Sequence, residues 1–159
     1  MDYQSLTSLC TQVRGDILNM THKAGSGHPG GSLSAVELLV GLYFSGEMAV
    51  DASNPDWEGR DRFILSKGHV APVLYSVLAR KGFFPMEELW TLRKLDSILQ
   101  GHPHMGHTPG LTAPAALWAR GCPLPTAWPW LSGCRGETTG CTACWETASS
   151  RRAKCGRRS

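Results

Sequence analysis

Three histidines share one local pattern, a glycine directly before the imidazole, and each lies in a segment that breaks regular structure. They are His28 in G-H-P, His69 in K-G-H, and His102 in a second G-H-P. A glycine lets the backbone approach a ligand closely. An imidazole can donate to phosphate or hydroxyl oxygens and can exchange protons near neutral pH. Each histidine alone is best explained as an ordinary loop residue, but the repeated pattern favours one shared site.

The first histidine loop is predicted to lie between two helices. Apolar residues recur at steps of three and four from Ser5 to Ala24, which predicts an amphipathic helix. Four glycines and a proline within residues 25–31 then end it. Ser34 and Glu37 have the spacing of a capping box, which would begin a second, largely apolar and buried helix.

The second histidine loop is predicted to follow a strand. Residues 63–65, F-I-L, form a short apolar run typical of a buried parallel strand. A helix is predicted over residues 70–80, with Gly82 as its C-terminal cap, and another begins at Pro85. Residues 101–110 are predicted to form an irregular loop. Helix and strand in alternation predict an α/β sheet domain, whose ligand crevice lies at the carboxyl ends of the strands.

Four segments resemble the motifs of the transketolase family in order and spacing. They are residues 23–30 (K-A-G-S-G-H-P-G), 61–69 (D-R-F-I-L-S-K-G-H), 101–103 (G-H-P) and 108–110 (T-P-G). The similarity covers about residues 5–110. It implies the N-terminal, thiamine-diphosphate-binding part of a transketolase, as an incomplete α/β fold with a parallel sheet flanked by helices. The short chain resembles the N-terminal subunit of a split transketolase, and it also fits a truncated piece of a longer enzyme.

The resemblance also implies roles for particular residues. His69, with Gly68 and Ser26, would contact the cofactor, whereas His28 and His102 would face the sugar, bind its hydroxyls and assist proton transfers. The implied reaction of the pentose phosphate pathway moves a two-carbon ketol unit between sugar phosphates, with thiamine diphosphate and Mg²⁺ as cofactors. The implied partners are a C-terminal transketolase subunit and a second copy of the chain.

Other interpretations stay open from the sequence alone. His102, His104 and His107 could bind a metal, although their loop lacks the usual zinc spacing. Cys141 and Cys144 form a C-x-x-C pair that could bind zinc or undergo redox chemistry. The chain would then be a small metal-binding protein or a non-catalytic remnant. Among enzymes, the related deoxyxylulose-phosphate synthases are the alternative, but K-G-H-V-A at residues 67–71 favours transketolase.

Composition divides the chain near Gly110. The first part carries nine Lys or Arg and eleven Asp or Glu, net −2, whereas the remainder carries seven and two, net +5. The second part has only eleven residue types and lacks Ile, Val, Phe and Tyr, although central strands need β-branched residues. We therefore assign residues 1–112 to the domain, and we expect 113–159 to be an irregular or disordered tail rich in Cys, Trp and Arg.

A shifted reading frame explains this tail better than a nucleic-acid-binding or membrane-binding role does. With each codon read one base earlier, permitted codons turn residues 116–131 into G-S-L-G-Q-G-L-S-A-A-N-G-M-A-L-A. Residues 141–158 become V-Y-C-L-L-G-D-G-E-L-Q-E-G-Q-V-W-E-A. Both strings resemble the next stretch of a transketolase sequence, including the G-D-G motif for metal and diphosphate. The hypothesis is a frameshift, or an equivalent sequencing or gene-model error, just before Ala116, and we expect the chain as written to be inactive alone.

Hydropathy and the N-terminus favour a cytoplasmic protein. No apolar run reaches the roughly eighteen residues that a membrane span needs. Residues 1–4, M-D-Y-Q, lack the basic and apolar regions of a signal peptide. We therefore expect neither a membrane nor a nucleic acid among the partners.

Overall fold

The computed structural model describes residues 2–65, 67–104 and 106–111, together with the backbone of 141–144. The remaining tail, including Cys134 and Cys155, lies outside the described residues, as do the side chains of the C-x-x-C pair. The elements are α1 (Tyr3–Ala24), α2 (Pro29–Leu33), α3 (Val36–Phe44), β1 (Arg62–Ile64), a first 3-10 helix (Gly68–Val70), α4 (Ala71–Lys81), a second 3-10 helix (Met86–Thr91) and β2 (Cys141–Cys144).

Helix α1 confirms the predicted amphipathic helix and begins two residues earlier. Asp2 caps it, because its carboxylate accepts a hydrogen bond from the Ser5 amide at 3.2 Å. Gly25 ends it in the left-handed conformation, with φ of 62°. The buried face contains Cys10, Val13, Asp16, Ile17 and Met20. This face packs against α3 and α4, which turns the apolar period of the sequence into one side of the core.

Helix α4 is the centre of the core. Its side chains from Val73 to Ala79 are all buried, and it contacts α1, α3 and the second 3-10 helix. Gly82 ends the helix at φ of 97°, as the sequence predicts. Lys81 donates from Nζ to the Tyr43 carbonyl at 2.9 Å, which ties the end of α4 to α3. Helical periodicity and the terminal glycine therefore located this element correctly, to within one residue at each end.

One polar network crosses the interface between α1 and α4. Asp16 is buried and accepts hydrogen bonds from Ser76 Oγ at 2.6 Å and from Arg80 at 2.6 and 3.1 Å. The last two form a bidentate pair, which adds geometric specificity to the charge interaction. Because both carboxylate oxygens have partners, burial of the charge is compensated.

The sheet of the described residues is one parallel pair. Strand β1 pairs with β2, with Arg62 opposite Cys141 and Ile64 opposite Cys144. The predicted strand at 63–65 is therefore present, one residue earlier, and it lies parallel to β2. Asp61, just before β1, is held from both sides: its amide donates to the Ala49 carbonyl, and its carboxylate accepts from the Ala49 amide, each at 2.8 Å. The described residues otherwise form a mostly helical structure.

Two predictions about helix starts are wrong. The capping box at Ser34 does not form, because α3 begins at Val36 without a side-chain cap, and Ser34 Oγ instead donates to the Gly31 carbonyl at 2.8 Å. Glu37 does not reach back along the chain, because it pairs with Arg14 of α1. The segment after Pro85 is a 3-10 helix, with proline at the cap position and not inside the first turn. At Glu37 a tertiary ion pair with Arg14 therefore replaces the local capping pattern.

Within the described residues, no helix is long and apolar enough to cross a membrane.

Loss of the Asp16 charge should destabilise the fold. Asp16→Asn leaves Arg80, whose side chain is 19% exposed, without its counter-ion. We expect a loss of about 3 kcal/mol in the free energy of unfolding, measured by urea denaturation. Glu37→Gln is the matched control, because it breaks an ion pair whose members are 39% and 62% exposed, and it should cost less than about 1 kcal/mol. Equal losses in the two variants would contradict the assignment.

The fold should also weaken in alkali. Burial raises the pKa of Tyr43 and of Tyr75 above the ordinary value of about 10. Below pH of about 10 the folded and unfolded states both hold these protons; above it, the unfolded state releases them first, and stability falls as pH rises. The free energy of unfolding, measured from about pH 8 to pH 11, should fall less steeply in Tyr43→Phe. The exposed control Tyr3→Phe should keep the wild-type slope.

Candidate functional site

Two of the three predicted histidines meet in space. The rings of His69 and His102 lie with centroids 5.4 Å apart and planes at 69°, in an edge-to-face arrangement. Both side chains are exposed to solvent. The His102 ring rests on Gly68, where an added Cβ would lie 2.6 Å from the ring carbon Cδ2. Glycine at this position is therefore required by the close approach of His102.

His69 is positioned by the connection from β1 to α4. It lies in the first 3-10 helix, where the Val70 amide donates to the Lys67 carbonyl at 3.0 Å. Helix α4 begins two residues later, at Ala71. The loop thus joins the carboxyl end of a parallel strand to the amino end of a helix, which is the position where α/β proteins bind ligands. The partial positive charge of that helix end favours an anion.

His102 is held by a hydrogen-bonded segment that precedes it. Tyr75 of α4 donates its hydroxyl to the Gln100 carbonyl at 2.7 Å, and Thr108 donates its hydroxyl to the Ile98 carbonyl at 2.6 Å. The Leu99 amide between them donates to Ser97 Oγ at 3.0 Å, and the Leu99 side chain is fully buried. The predicted irregular loop is therefore fixed at both sides of His102 by bonds to the core.

His28 lies at the start of α2 and is exposed. Its backbone is extended, with φ of −118° and ψ of 105°, and the preceding Gly27 has φ of 120°, a conformation that glycine tolerates best. The ring contacts of the described residues include His69 and His102 but do not include His28. The structure therefore brings two of the predicted histidines together and leaves the third on a neighbouring loop without a ring contact to them.

Ser26 is engaged by a residue that sequence reasoning missed. Arg93 donates from Nη1 to Ser26 Oγ at 2.9 Å, and its side chain lies along Gly101. Arg93 belongs to none of the glycine–histidine motifs, and its left-handed backbone, with φ of 63°, has no sequence signature. A basic residue a few positions before Gly101 was the one available signal.

Lys67 is a second residue that the sequence analysis did not single out. A Cβ added at Gly31 would lie 3.5 Å from Lys67 Nζ and 3.2 Å from Val70, so α2 packs closely against the His69 loop. A cavity of about 40 Å³ lies among these residues, bordered by Leu39 and Phe63 of the core. The ammonium group adds a positive charge next to the loop that carries His69.

The alternative of a three-histidine metal cluster is not realised among the described residues. His104 faces His107, with ring centroids 4.9 Å apart, whereas His102 turns to His69. Over the described ranges, no group of three or more His, Cys, Asp or Glu side chains is placed to hold a metal ion. The imidazole and ammonium donors present fit a diphosphate.

The described helices, the parallel strand pair and the two meeting histidine loops are typical of part of an α/β ligand-binding domain. Residues 7–118 match the family described as transketolase, thiamine diphosphate binding domain. The chain therefore belongs to the transketolase family, whose cofactor is thiamine diphosphate.

Known relatives support this assignment. Over 89 residues the chain is 51% identical to the 6-deoxy-6-sulfo-D-fructose transketolase subunit of Clostridium sp. (strain MSTE9), covering 56% of this chain and 32% of that protein. It is 45% identical over 100 residues to the mouse transketolase, covering 63% of this chain and 16% of that enzyme. The chain thus spans about a third of the first relative and about a sixth of the second.

Solved transketolases share the fold. The structure matches transketolase from Leishmania mexicana with a TM-score of 0.67 and 27% identity, over 70% of this chain and 17% of that one. It matches transketolase from Campylobacter jejuni with a TM-score of 0.66 and 31% identity, over 73% and 18% of the respective chains.

Adding a methyl group at Gly68 should separate the two histidine rings. In Gly68→Ala the new Cβ would collide with His102, so the ring must move away. We expect the nuclear Overhauser contact between the His69 and His102 rings to be lost. Gly30→Ala is the matched control, because nothing lies within 4 Å of its added Cβ. An unchanged ring contact in folded Gly68→Ala would contradict this packing.

Proposed function

We propose that this chain is the cofactor-facing and sugar-facing N-terminal segment of a cytoplasmic transketolase that transfers a two-carbon ketol unit between sugar phosphates. We further propose that the chain as written is inactive alone. The observation that carries the proposal is the contact between His69 and His102 at the carboxyl end of β1. Two imidazoles from separate loops at that edge can serve one ligand.

The exposed imidazole of His69 would donate to a diphosphate oxygen, with the Gly68 backbone beside it and Lys67 adding charge. Ser26 would stand at the same side, with its hydroxyl fixed by Arg93. His28 and His102 would bind sugar hydroxyls and hold or release a proton there, since imidazole can do either near neutral pH. Thiamine diphosphate, when bound, supplies the carbon chemistry of ketol transfer.

The described residues alone would bind the cofactor weakly. Two charge-assisted hydrogen bonds, from His69 and Lys67, contribute about 2 kcal/mol each. Their sum of about 4 kcal/mol corresponds to a millimolar dissociation constant. Mg²⁺ normally carries much of the charge neutralisation beside a diphosphate, so on this proposal a chain without the metal ligands would bind the cofactor more weakly than an intact transketolase does.

On this proposal, a frameshift just before Ala116 replaced the residues that would bind Mg²⁺. Tryptophan has the single codon TGG. In the earlier frame its last base, G, therefore becomes the first base of the next codon, which limits the residue that this codon can encode. Ala119 and Glu146 then read as glycine and Pro129 as alanine, whatever codons they use. Each agrees with the shifted strings, including the first glycine of G-D-G.

The strand that pairs with β1 lies within the stretch that the proposed frameshift alters. A frameshift changes residue identities without changing the number of codons, so later codons keep their position numbers. Residues 141–144 read V-Y-C-L in the earlier frame, a β-branched and aromatic run that suits a buried strand and directly precedes L-G-D-G. Strand β2 occupies the same four positions and pairs in parallel with β1.

On this proposal the chain is an incomplete thiamine-diphosphate-binding fold. Its sheet within the described residues has one strand pair, whereas α/β domains usually bury several parallel strands between helices. A C-terminal transketolase subunit and a second copy of the chain would complete the intact enzyme. We assign residues 1–112 to the genuine domain and residues 113–159 to the altered tail.

Restoring the frame should restore cofactor binding. By isothermal titration calorimetry, the chain as written should bind thiamine diphosphate with a dissociation constant no tighter than about 1 mM in the presence of Mg²⁺. A version with the earlier frame restored before codon 116 should bind at least about tenfold more tightly. With a C-terminal transketolase subunit added, it should transfer ketol units between sugar phosphates. Micromolar binding by the chain as written would overturn the proposal.

A frame-restored His69→Ala variant is the control for the site. It should lose most of the gained affinity, because the diphosphate loses its imidazole donor. His22→Ala, a change at an exposed histidine of α1, should not alter binding. A sequenced gene with an uninterrupted frame and codons incompatible with both shifted strings would rule out the frameshift itself.

A further inference from the structure

One side chain outside the histidine motifs connects two of the histidine loops. Arg93 follows the second 3-10 helix and donates from Nη1 to Ser26 Oγ at 2.9 Å. The same guanidinium lies against Gly101, where an added Cβ would be 3.1 Å from Nε. Arg93 thus contacts the residue two positions before His28 and the residue directly before His102.

The backbone of Arg93 is held in an unfavourable conformation. Its φ of 63° lies in the left-handed region, which costs an L-residue other than glycine about 1–2 kcal/mol. Its amide donates to the Leu99 carbonyl at 2.9 Å, and this bond places Arg93 beside the segment that leads into Gly101. Strain of this kind persists where surrounding contacts determine the conformation, and it is concentrated at functional sites.

A second contact joins the same two segments in the opposite sense. Lys23, at the end of α1, places Nζ over the ring of Trp90 at 4.5 Å from its centroid. One segment contributes a lysine and receives an arginine, and the other contributes the arginine and receives the lysine. Two cation contacts, a few residues apart on each chain segment, define the relative position of residues 23–26 and 90–93 better than one contact could.

We propose that Arg93 is a positioning residue that sets the spacing between the loop of His28 and the loop of His102. The roles of those histidines in sugar binding rest on the proposed function, but the positioning itself does not. Lysine cannot replace Arg93, because an ammonium group is a point donor, whereas the planar guanidinium bonds Ser26 at one edge and packs its face against Gly101.

The test uses the full chain as it exists, labelled with ¹³C and ¹⁵N at histidine. In Arg93→Ala and Arg93→Lys, the imidazole signals of both His28 and His102 should move, while that of His22 in α1 should not. Lys94→Ala is the matched control, because it removes an exposed neighbouring cation and should leave all three signals unchanged. Signals of His28 and His102 that stay at their wild-type positions in folded Arg93→Ala would overturn the proposal.

Arg93→Gly separates positioning from strain and serves if the alanine variant fails to fold. Glycine tolerates the positive φ, so this variant should be at least as stable as Arg93→Ala. Its histidine signals should nevertheless move in the same way, since the guanidinium is gone. Histidine signals at wild-type positions in Arg93→Gly would overturn the proposal, because the backbone conformation alone would then position the loops.

A second measurement distinguishes failure of this proposal from failure of the proposed function. In the frame-restored chain with a C-terminal subunit, Arg93→Ala should lower kcat about 10- to 100-fold, as expected for groups displaced by about 1 Å. Added guanidinium ion should recover part of the loss, which a purely structural defect would not permit. Moved histidine signals in a frame-restored chain without ketol transfer would retain the positioning role and refute the assigned reaction.

Discussion

Burial of α4 is the constraint on which the other features depend. Because every side chain from Val73 to Ala79 is enclosed, the helix has a single rotational setting within the core. That setting fixes His69, which precedes the first turn, and directs the Tyr75 hydroxyl to the Gln100 carbonyl just before His102. Arg80, at the other end, fixes α1 through Asp16. One buried helix therefore positions the loops of His69 and His102 directly and acts on the loop of His28 through α1, although it contains none of the site histidines.

Hydrogen bonds, and not apolar packing alone, connect the core to the loop of His102. Apolar contacts determine which face of a helix is buried, but they have no preferred direction and do not by themselves fix the path of a loop. The bond from Tyr75 to Gln100 and that from Thr108 to Ile98 have defined geometry, and they act on backbone carbonyls within a few residues of His102. The loop is irregular in shape, yet its path is determined at each side of the imidazole.

Sequence patterns predicted those parts of the fold that local chemistry decides. The apolar periods of α1 and α4, the terminal glycines at 25 and 82, and the short run before Lys67 all correspond to observed elements. The capping box failed because Glu37 pairs with Arg14, on a helix 23 residues earlier, and no local pattern reports such a partner. Arg93 was missed for the same reason, since its hydrogen-bond partner Ser26 lies 67 residues earlier in the chain. The shared glycine–histidine pattern predicted the meeting of His69 and His102, because both glycines mark places where something approaches the backbone.

The helices and the sheet differ in how far along the chain their hydrogen-bonding and packing partners lie. Helices satisfy their backbone groups internally, and α1 to α4 all lie within residues 3–81, where they pack against one another. A parallel strand depends on distant strands for every backbone hydrogen bond. Strand β1 finds its partner at Cys141–Cys144, 77 residues beyond Ile64, and this one pair is the sheet of the described residues. On the proposed frameshift, the change of frame falls between these strands, so it spares the locally determined helices and their histidines. It alters the non-local half of the same fold, which would have supplied the phosphate loop and the metal.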